Sequence, residues 1–250
     1  VKLIGHSEGT TIALSGLVQH PELWNGAQRP ADLPAVEVAA LLAPTIYMTS
    51  VSNFAWRALA SLQVGETMHA LGIYGFNPNS KLLQQFIPQF CELVSIVDCE
   101  YPICLVFGCQ SDNLPAGREE LIYSHFPAGS STQDLIHWEQ SMRTDNAFNF
   151  FDFGSTKLNQ QHYGQDAPPA YDLGSLSDML RLGVWHGGLD PVSDAADVET
   201  LVGDLIEAGA VRSVTDVHYF ENYGHGDFVW ASDGWHTGYV QSLVNFIAES

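Results

Sequence analysis

The chain has 250 residues, 46% of them hydrophobic, which is enough to bury a sizeable core and too much for an intrinsically disordered segment. Asp and Glu number 29 against nine Lys and Arg, a formal charge of −20 that stays negative even with all ten histidines protonated. Such a charge disfavours nucleic acid and anionic membrane surfaces as partners, and no apolar run reaches the roughly 18 residues that span a bilayer.

The opening stretch VKLIGHSEGTT reads as the end of a strand followed by a tight turn with Ser7 between Gly5 and Gly9. A helix over TTIALSGLVQH then runs until Pro21 stops it. With Val1 in place of a methionine and no signal-type segment before the strand, a processed or cut beginning is expected. VEVAALLAPT is a continuous apolar run of the kind carried by a strand buried on both faces, and ICLVFG reads the same way. Residues 49 to 110, rich in aromatics and broken by Gly and Pro, read as an irregular, mostly helical excursion. It holds Cys91, Cys99, Cys104 and Cys109, and no pair has the C-x-x-C spacing of a structural zinc site, so no metal and no cofactor are expected. A local disulfide and buried thiols are both open readings of these cysteines.

Farther along, STQDLIHWEQSMR reads as a helix, while NAFNFFDFGS and QHYGQDAPPAYDL read as surface loops. LGVWHGGLD is a strand that leaves through two glycines. The helix after it places Val198, Leu201, Val202, Leu205 and Ile206 on one face, with Ser193 or Asp194 as its N-cap. VTDVHYFEN is another strand, and the final helix carries Val240, Leu243, Val244 and Ile247 on one face. Strands alternating with helices predict an α/β fold with a mainly parallel sheet flanked by helices.

Gly-x-Ser-x-Gly between a strand and a helix is the nucleophile elbow of the α/β-hydrolase fold. The turn strains the serine backbone, and the flanking glycines are expected to leave room for neighbouring chain. Ser7 would stand at a helix N-terminus, where backbone N–H groups favour developing negative charge. A serine hydroxyl needs a base, and the base an orienting acid, which in this fold follow in the order Ser, acid, His. FENYGHGDF supplies His225 after the last strand. His6 would point into the packing beneath the elbow, His186 and His218 fall within strands, and His236 lies in or beside the final helix, so these four read as structural. Asp190 directly follows its strand and is the preferred acid. Asp112 is the rival, while Asp194 and Asp197 suit the cap and the solvated face of the next helix.

These residues resemble the acid lipases, the family of gastric and lysosomal acid lipase, over most of the chain. GHSEGTT is similar to that family's elbow, SHFPAGSSTQDLIHWEQSM to its Pro-Ala-Gly segment and following helix, WHGGLDPVSDAADV to its acid loop and YGHGDFVWA to its histidine loop. The resemblance implies Ser7 as nucleophile, Asp190 as acid, His225 as base and the backbone N–H of Glu8 as an oxyanion donor. It implies an ester hydrolase acting on triacylglycerols or sterol esters at a lipid–water interface, secreted or lysosomal. By this reading residues 1–48 and 146–250 form the hydrolase core and 49–145 a cap and lid. Phe76, Phe86, Ile87, Phe90, Leu93 and Val94 would then line an acyl-binding surface or form the cap's own core, and Cys91 would pair with Cys99. The strands that precede the elbow in that fold, and the loop carrying a second oxyanion donor, are expected upstream.

Two features depart from the family. Glu8 stands where Gln is usual, so an ionised side chain near the oxyanion is expected to lower activity at neutral pH relative to acid pH. There is also no Asn-x-Ser/Thr sequon. A carboxylesterase or acyltransferase of the same fold, and a non-catalytic relative that binds lipid or a partner, are the alternative functions.

Overall fold

Lys2–His6 form the first strand, β1, of the computed structural model, which describes residues 1–25, 31–32, 34–76, 107–108, 111–115, 118, 121–122, 125–126, 128–176, 180–208 and 216–249. Three further strands join it: β2 (Val38–Leu42), β5 (Arg181–Gly187) and β6 (Asp216–Phe220). They make one sheet in the order β1-β2-β5-β6, with every neighbouring pair parallel. A two-residue antiparallel ribbon, β3 (Gly75–Phe76) with β4 (Ser130–Ser131), stands apart from it.

Parallel neighbours need a crossover, and helices supply it. Helix α1 (Glu8–Gln19) connects β1 to β2, and α6 (Ala195–Glu207) connects β5 to β6. Strand β2 is buried along its whole length, as its unbroken apolar run requires. Its side chains alternate between two cores. Ala39 meets Leu14 and Leu17 of α1 and Leu201 and Leu205 of α6, while Val38, Ala40 and Leu42 face Trp185, Tyr223 and Phe246. Full burial of a residue such as Leu201 or Leu205 contributes about 1.5–3 kcal/mol each.

The second core is closed by α8 (Tyr239–Ala248), which follows the short helix α7 (Asp227–Trp230), and Val240, Leu243 and Ile247 pack against that core as the periodicity reading expects. Tyr239 and Phe246 are its buried residues, Phe246 standing edge-on to Trp185, whereas Val244, expected on the same face, is 44% exposed. Trp185 selects this orientation because its indole N–H reaches Ser242 Oγ at 2.8 Å. Arg181 fixes the same helix by lying 4.3 Å over the Phe246 ring while pairing with Asp216 at 2.6 Å.

Outside the sheet, α2 (Phe54–Leu62) and α3 (Val64–Ala70) both pack on α4 (Thr132–Arg143). Helix α2 begins at Asn53, whose side chain accepts the N–H groups of Ala55 and Trp56, and α4 at Ser131, whose hydroxyl accepts the Asp134 N–H. A further helix, α5 (Thr156–Tyr163), was not expected, and its last three residues fall in QHYGQDAPPAYDL, which reads as a surface loop. It has almost no apolar stripe to betray it. Ser155 caps it by accepting the Leu158 N–H, and the buried Asn159 amide bonds Asp152 and the Asp166 carbonyl. The ICLVFG reading falls largely outside the described residues.

Candidate active site

Ser7 occupies the one-residue gap between β1 and α1, with φ 55° and ψ −124°. A residue with a side chain pays for that conformation, and the surroundings hold it there. Its N–H donates to the Leu42 carbonyl at 3.0 Å, and its own carbonyl accepts the Thr10 hydroxyl at 2.6 Å. Thr10 in turn accepts the Thr45 N–H, which ties the elbow to the chain leaving β2. Of the two flanking glycines, only Gly5 is demanded by space. A Cβ there would come 2.5 Å from the Gly9 carbonyl oxygen, whereas at Gly9 it would meet nothing within 4 Å.

The other two side chains arrive from the ends of β5 and β6. At the end of β5 the chain passes Gly187 and Gly188, where a Cβ would sit 2.1 Å from the Tyr223 carbonyl oxygen and 2.3 Å from the Tyr219 hydroxyl, respectively. The missing side chains let the two loops run side by side, joined by Gly188 N–H to Phe220 O and Leu189 N–H to Tyr223 O. Asp190 therefore emerges next to His225. One carboxylate oxygen accepts the Val192 and Ser193 N–H groups at 2.9 and 2.8 Å, and the other bonds His225 Nδ1 at 2.8 Å. The far ring nitrogen of His225 lies 2.6 Å from Ser7 Oγ. An ionised Asp190 accepts only, so Nδ1 carries the proton and Nε2 faces the serine as an acceptor. The His225 and Asp190 side chains are 1% and 0% exposed.

Ser7, His225 and Asp190 are thus brought together, and the Glu8 N–H heads α1 beside them, at a position that has no intrahelical acceptor. Asp112 lies exposed in a short turn over Ser111–Asn113, and the carboxylate on His225 is that of Asp190. Asp194 caps α6 as expected by accepting the Ala196 N–H. Asp197 is buried rather than solvated, because its carboxylate receives the Ser50 N–H at 2.9 and 3.1 Å.

His6 differs from its expected place. It lines the cavity beside the site, its Nε2–H donates to the His225 carbonyl at 2.9 Å, and the two rings lie 5.1 Å apart. Burial, followed by the proximity of His225, lowers its pKa to about 4, so it remains a neutral brace for the histidine loop. Asp227, not singled out from sequence, braces the same loop by accepting the Gly224 N–H at 2.7 Å and the Asn113 amide at 3.1 Å. Its place two residues after His225 in GHGDF was the available signal.

A cavity of about 430 Å³ opens next to His225, with apolar walls from Phe107, Leu121, Ile122, Phe126, Val229 and Trp230. None of these was among the expected acyl-surface residues. Of those, Phe86, Ile87, Phe90, Leu93 and Val94 lie outside the described residues, as do Cys91, Cys99, Cys104 and Cys109, and only the backbone of Phe76, in β3, is described. Glu8 is half-buried, and its pKa is raised to about 7 by burial first, then by the charge of Asp134 and a hydrogen bond between the two carboxyl groups. Among the described residues no cluster of His, Cys, Asp and Glu could hold a metal, and no helix is long and apolar enough to cross a membrane.

Known proteins similar to this chain share one kind of name. Triacylglycerol lipase 2 of Arabidopsis thaliana is 30% identical over 92% of this chain and 51% of that protein. Human gastric triacylglycerol lipase is 28% identical over 98% of this chain and 57% of that protein. Human lysosomal acid lipase/cholesteryl ester hydrolase is 28% identical over 93% and 54%. The chain therefore spans about half the length of the curated relatives it matches, and no protein-family model matches it. Over almost all of its length the chain is thus a homologue of triacylglycerol and acid lipases, and its parallel sheet with a strained serine between β1 and α1 has the arrangement of the α/β-hydrolase fold.

Proposed function

We propose that the protein is a serine carboxylic ester hydrolase that cleaves lipid esters, triacylglycerols or sterol esters, through an acyl-enzyme. The observation that carries this reading is the unbroken hydrogen-bond chain from Ser7 Oγ through His225 to Asp190, set on a strained turn. In the first half-reaction Ser7 Oγ attacks the ester carbonyl carbon as its proton passes to His225 Nε2. The negative charge that develops on the carbonyl oxygen is met by the Glu8 N–H and the α1 dipole. Collapse of the tetrahedral intermediate breaks the bond to the alkoxide, which leaves as the alcohol with the proton from His225. Water then repeats the sequence on the acyl-serine, giving the free acid and restoring Ser7. Asp190 holds the imidazole in the tautomer this needs.

Substrate class follows from the cavity, whose apolar walls suit a fatty acyl chain better than a polar acid. Residues 49–145, which include α2, α3 and α4, would form the cap above it. Work at a lipid–water interface, in a secreted or lysosomal setting, is part of the same reading and draws on the printed names of the relatives.

A fluorophosphonate probe tests the reading directly in the full-length chain. Ser7 is expected to be the labelled residue. Replacing it with alanine is expected to abolish labelling and to lower ester turnover by about 10⁴-fold or more. Hydrolysis of long-chain emulsified triacylglycerol above that of short soluble esters supports a lipase, and the reverse preference supports a carboxylesterase. An unlabelled Ser7 with no turnover overturns the hydrolase reading in favour of a binding role.

A further inference from the structure

The histidine loop between β6 and α8 is tied to the chain leaving β5 at Phe220 and Tyr223. Its second anchor lies far back in the sequence, in the stretch that carries Phe107, Gly108 and Asn113. Asn113 grips the loop at three points. Its amide nitrogen donates one N–H to the Asn222 carbonyl at 2.8 Å and the other to Asp227 Oδ2 at 3.1 Å. Its backbone carbonyl accepts the Ser232 N–H at 2.9 Å and the Ser232 hydroxyl at 3.3 Å. Both partners of the amide nitrogen are acceptors, so the nitrogen and not the oxygen of the side chain faces them. Asp227 is buried, and the oxygen that takes the Asn113 amide also takes the Gly224 N–H at 2.7 Å. Residues on both sides of His225 thereby belong to one hydrogen-bonded unit centred on Asn113. Gly108 adds the adjoining link, since its carbonyl accepts the Gly226 N–H at 3.1 Å. With φ 56° it also runs so close to the acid loop that a Cβ there would stand 2.1 Å from Pro191 Cδ, next to Asp190.

The two segments joined in this way are also walls of the apolar cavity. Phe107 directly precedes Gly108, and Trp230 ends α7, the four-residue helix that begins two positions after His225. Phe126 stands between their rings, edge to face with each, at centroid distances of 4.8 and 4.9 Å. Leu114, the neighbour of Asn113, is buried against all three. An acyl chain in the cavity therefore rests on both of the segments that Asn113 ties together.

As a deepening of the ester-hydrolase reading, and resting on it, we propose that Asn113 is a positioning residue for His225: its amide clamps the histidine loop to the cavity wall, and an acyl chain long enough to fill the cavity shares that task by packing on Phe107 and Trp230. Asn113 touches no reacting atom and acts through the loop alone. The imidazole must stay aligned with Ser7 Oγ, and a misplacement of about 1 Å costs roughly 10²-fold in rate. Contacts made by a remote part of the substrate are then spent on orienting the base, so chain length enters turnover as well as binding.

The test compares a butyrate and a palmitate ester of the same phenol, in the same detergent, with the full-length chain. Fluorophosphonate titration of Ser7 supplies the concentration of folded sites to which kcat is normalised. Asn113→Ala is expected to lower kcat on the butyrate ester about tenfold, with KM changed by less than about twofold, and to lower kcat on the palmitate ester by no more than about threefold. Asn113→Asp, which keeps the shape and loses both donors, is expected to show the same split. Equal losses on the two esters, losses carried by KM, or wild-type kcat in both variants overturn the proposal. If neither variant folds, exchange of the Gly226 amide is measured in wild-type protein labelled on Ser7 with an ethyl or a hexadecyl phosphonate. Slower exchange under the long chain is expected, and equal exchange overturns the proposal. If the wild type hydrolyses neither ester and Ser7 is not labelled, the hydrolase reading falls. Gly226 exchange in Asn113→Ala against wild type then decides the clamp by itself, acceleration being expected and no change overturning it.

Discussion

Asp190 shows how one residue's two oxygens are given separate tasks. One is taken by the Val192 and Ser193 N–H groups, which leaves the other for His225. In Asp190→Asn the carbonyl oxygen must stay with those two donors, so the amide nitrogen is turned toward His225 and donates to Nδ1. The histidine is then forced into the tautomer that carries its proton on Nε2 and cannot accept from Ser7. The expected outcome is a fall in kcat of roughly 10⁴-fold, with the thermal midpoint shifted only slightly, measured by steady-state kinetics beside calorimetry. Much at this scale was legible in the sequence, because Gly-x-Ser and Gly-Gly-x-Asp are signals local in the chain even where the backbone they make room for is not. At Gly5 that backbone is the Gly9 carbonyl, and at Gly187 it is the remote Tyr223 carbonyl. The bracing by His6 was not legible. It depends on a contact with the backbone of a residue more than two hundred positions away, which no local pattern encodes.

Among the elements, those marked by an unbroken apolar run or bounded by clear stop signals were readable, namely β2, α1, β5 and α6. Helix α5 was not, since its stability comes from a serine cap and a buried asparagine rather than from an apolar face. The inner face of α8 was legible in part: Val240, Leu243 and Ile247 do pack on the core, but Val244 is exposed, and Tyr239 and Phe246 take the buried places. Arg181 and Trp185 of β5 fix that orientation by stacking and hydrogen bonding. Phe246→Ala is accordingly expected to cost about 3–5 kcal/mol, as for an aromatic removed from a packed core. Val244→Ala is expected to stay within about 0.5 kcal/mol. Urea titrations of both variants make the check, and equal losses would contradict the orientation described for this helix. The apolar cavity was illegible for a different reason: Phe107, Phe126 and Trp230 stand far apart in the chain and meet only when the histidine loop is in place.

On the scale of the whole molecule, the parallel sheet and the order of its motifs were legible from alternation alone, while the way α4 is fastened to α3 was not, because a buried carboxylate that accepts the Gly65 N–H leaves no mark in a pattern that counts only polar and apolar residues. One feature of the sheet reaches beyond catalysis. Ser7 and His225 are separated by 218 positions yet share a hydrogen bond, and each neighbouring strand is met only after a crossover. Contacts so remote along the chain are entropically expensive to establish early, and chains dominated by them fold slowly. After dilution of the full-length chain from denaturant, far-ultraviolet circular dichroism is expected to recover first and esterase turnover to return with a measurable lag. Simultaneous recovery of both signals would mean that Ser7 and His225 meet before the helices have settled. On the proposed reading, ester turnover is thus a stringent indicator of a finished fold, and any surface nick that frees the segment carrying His225 should silence the molecule while leaving most of its helical signal intact.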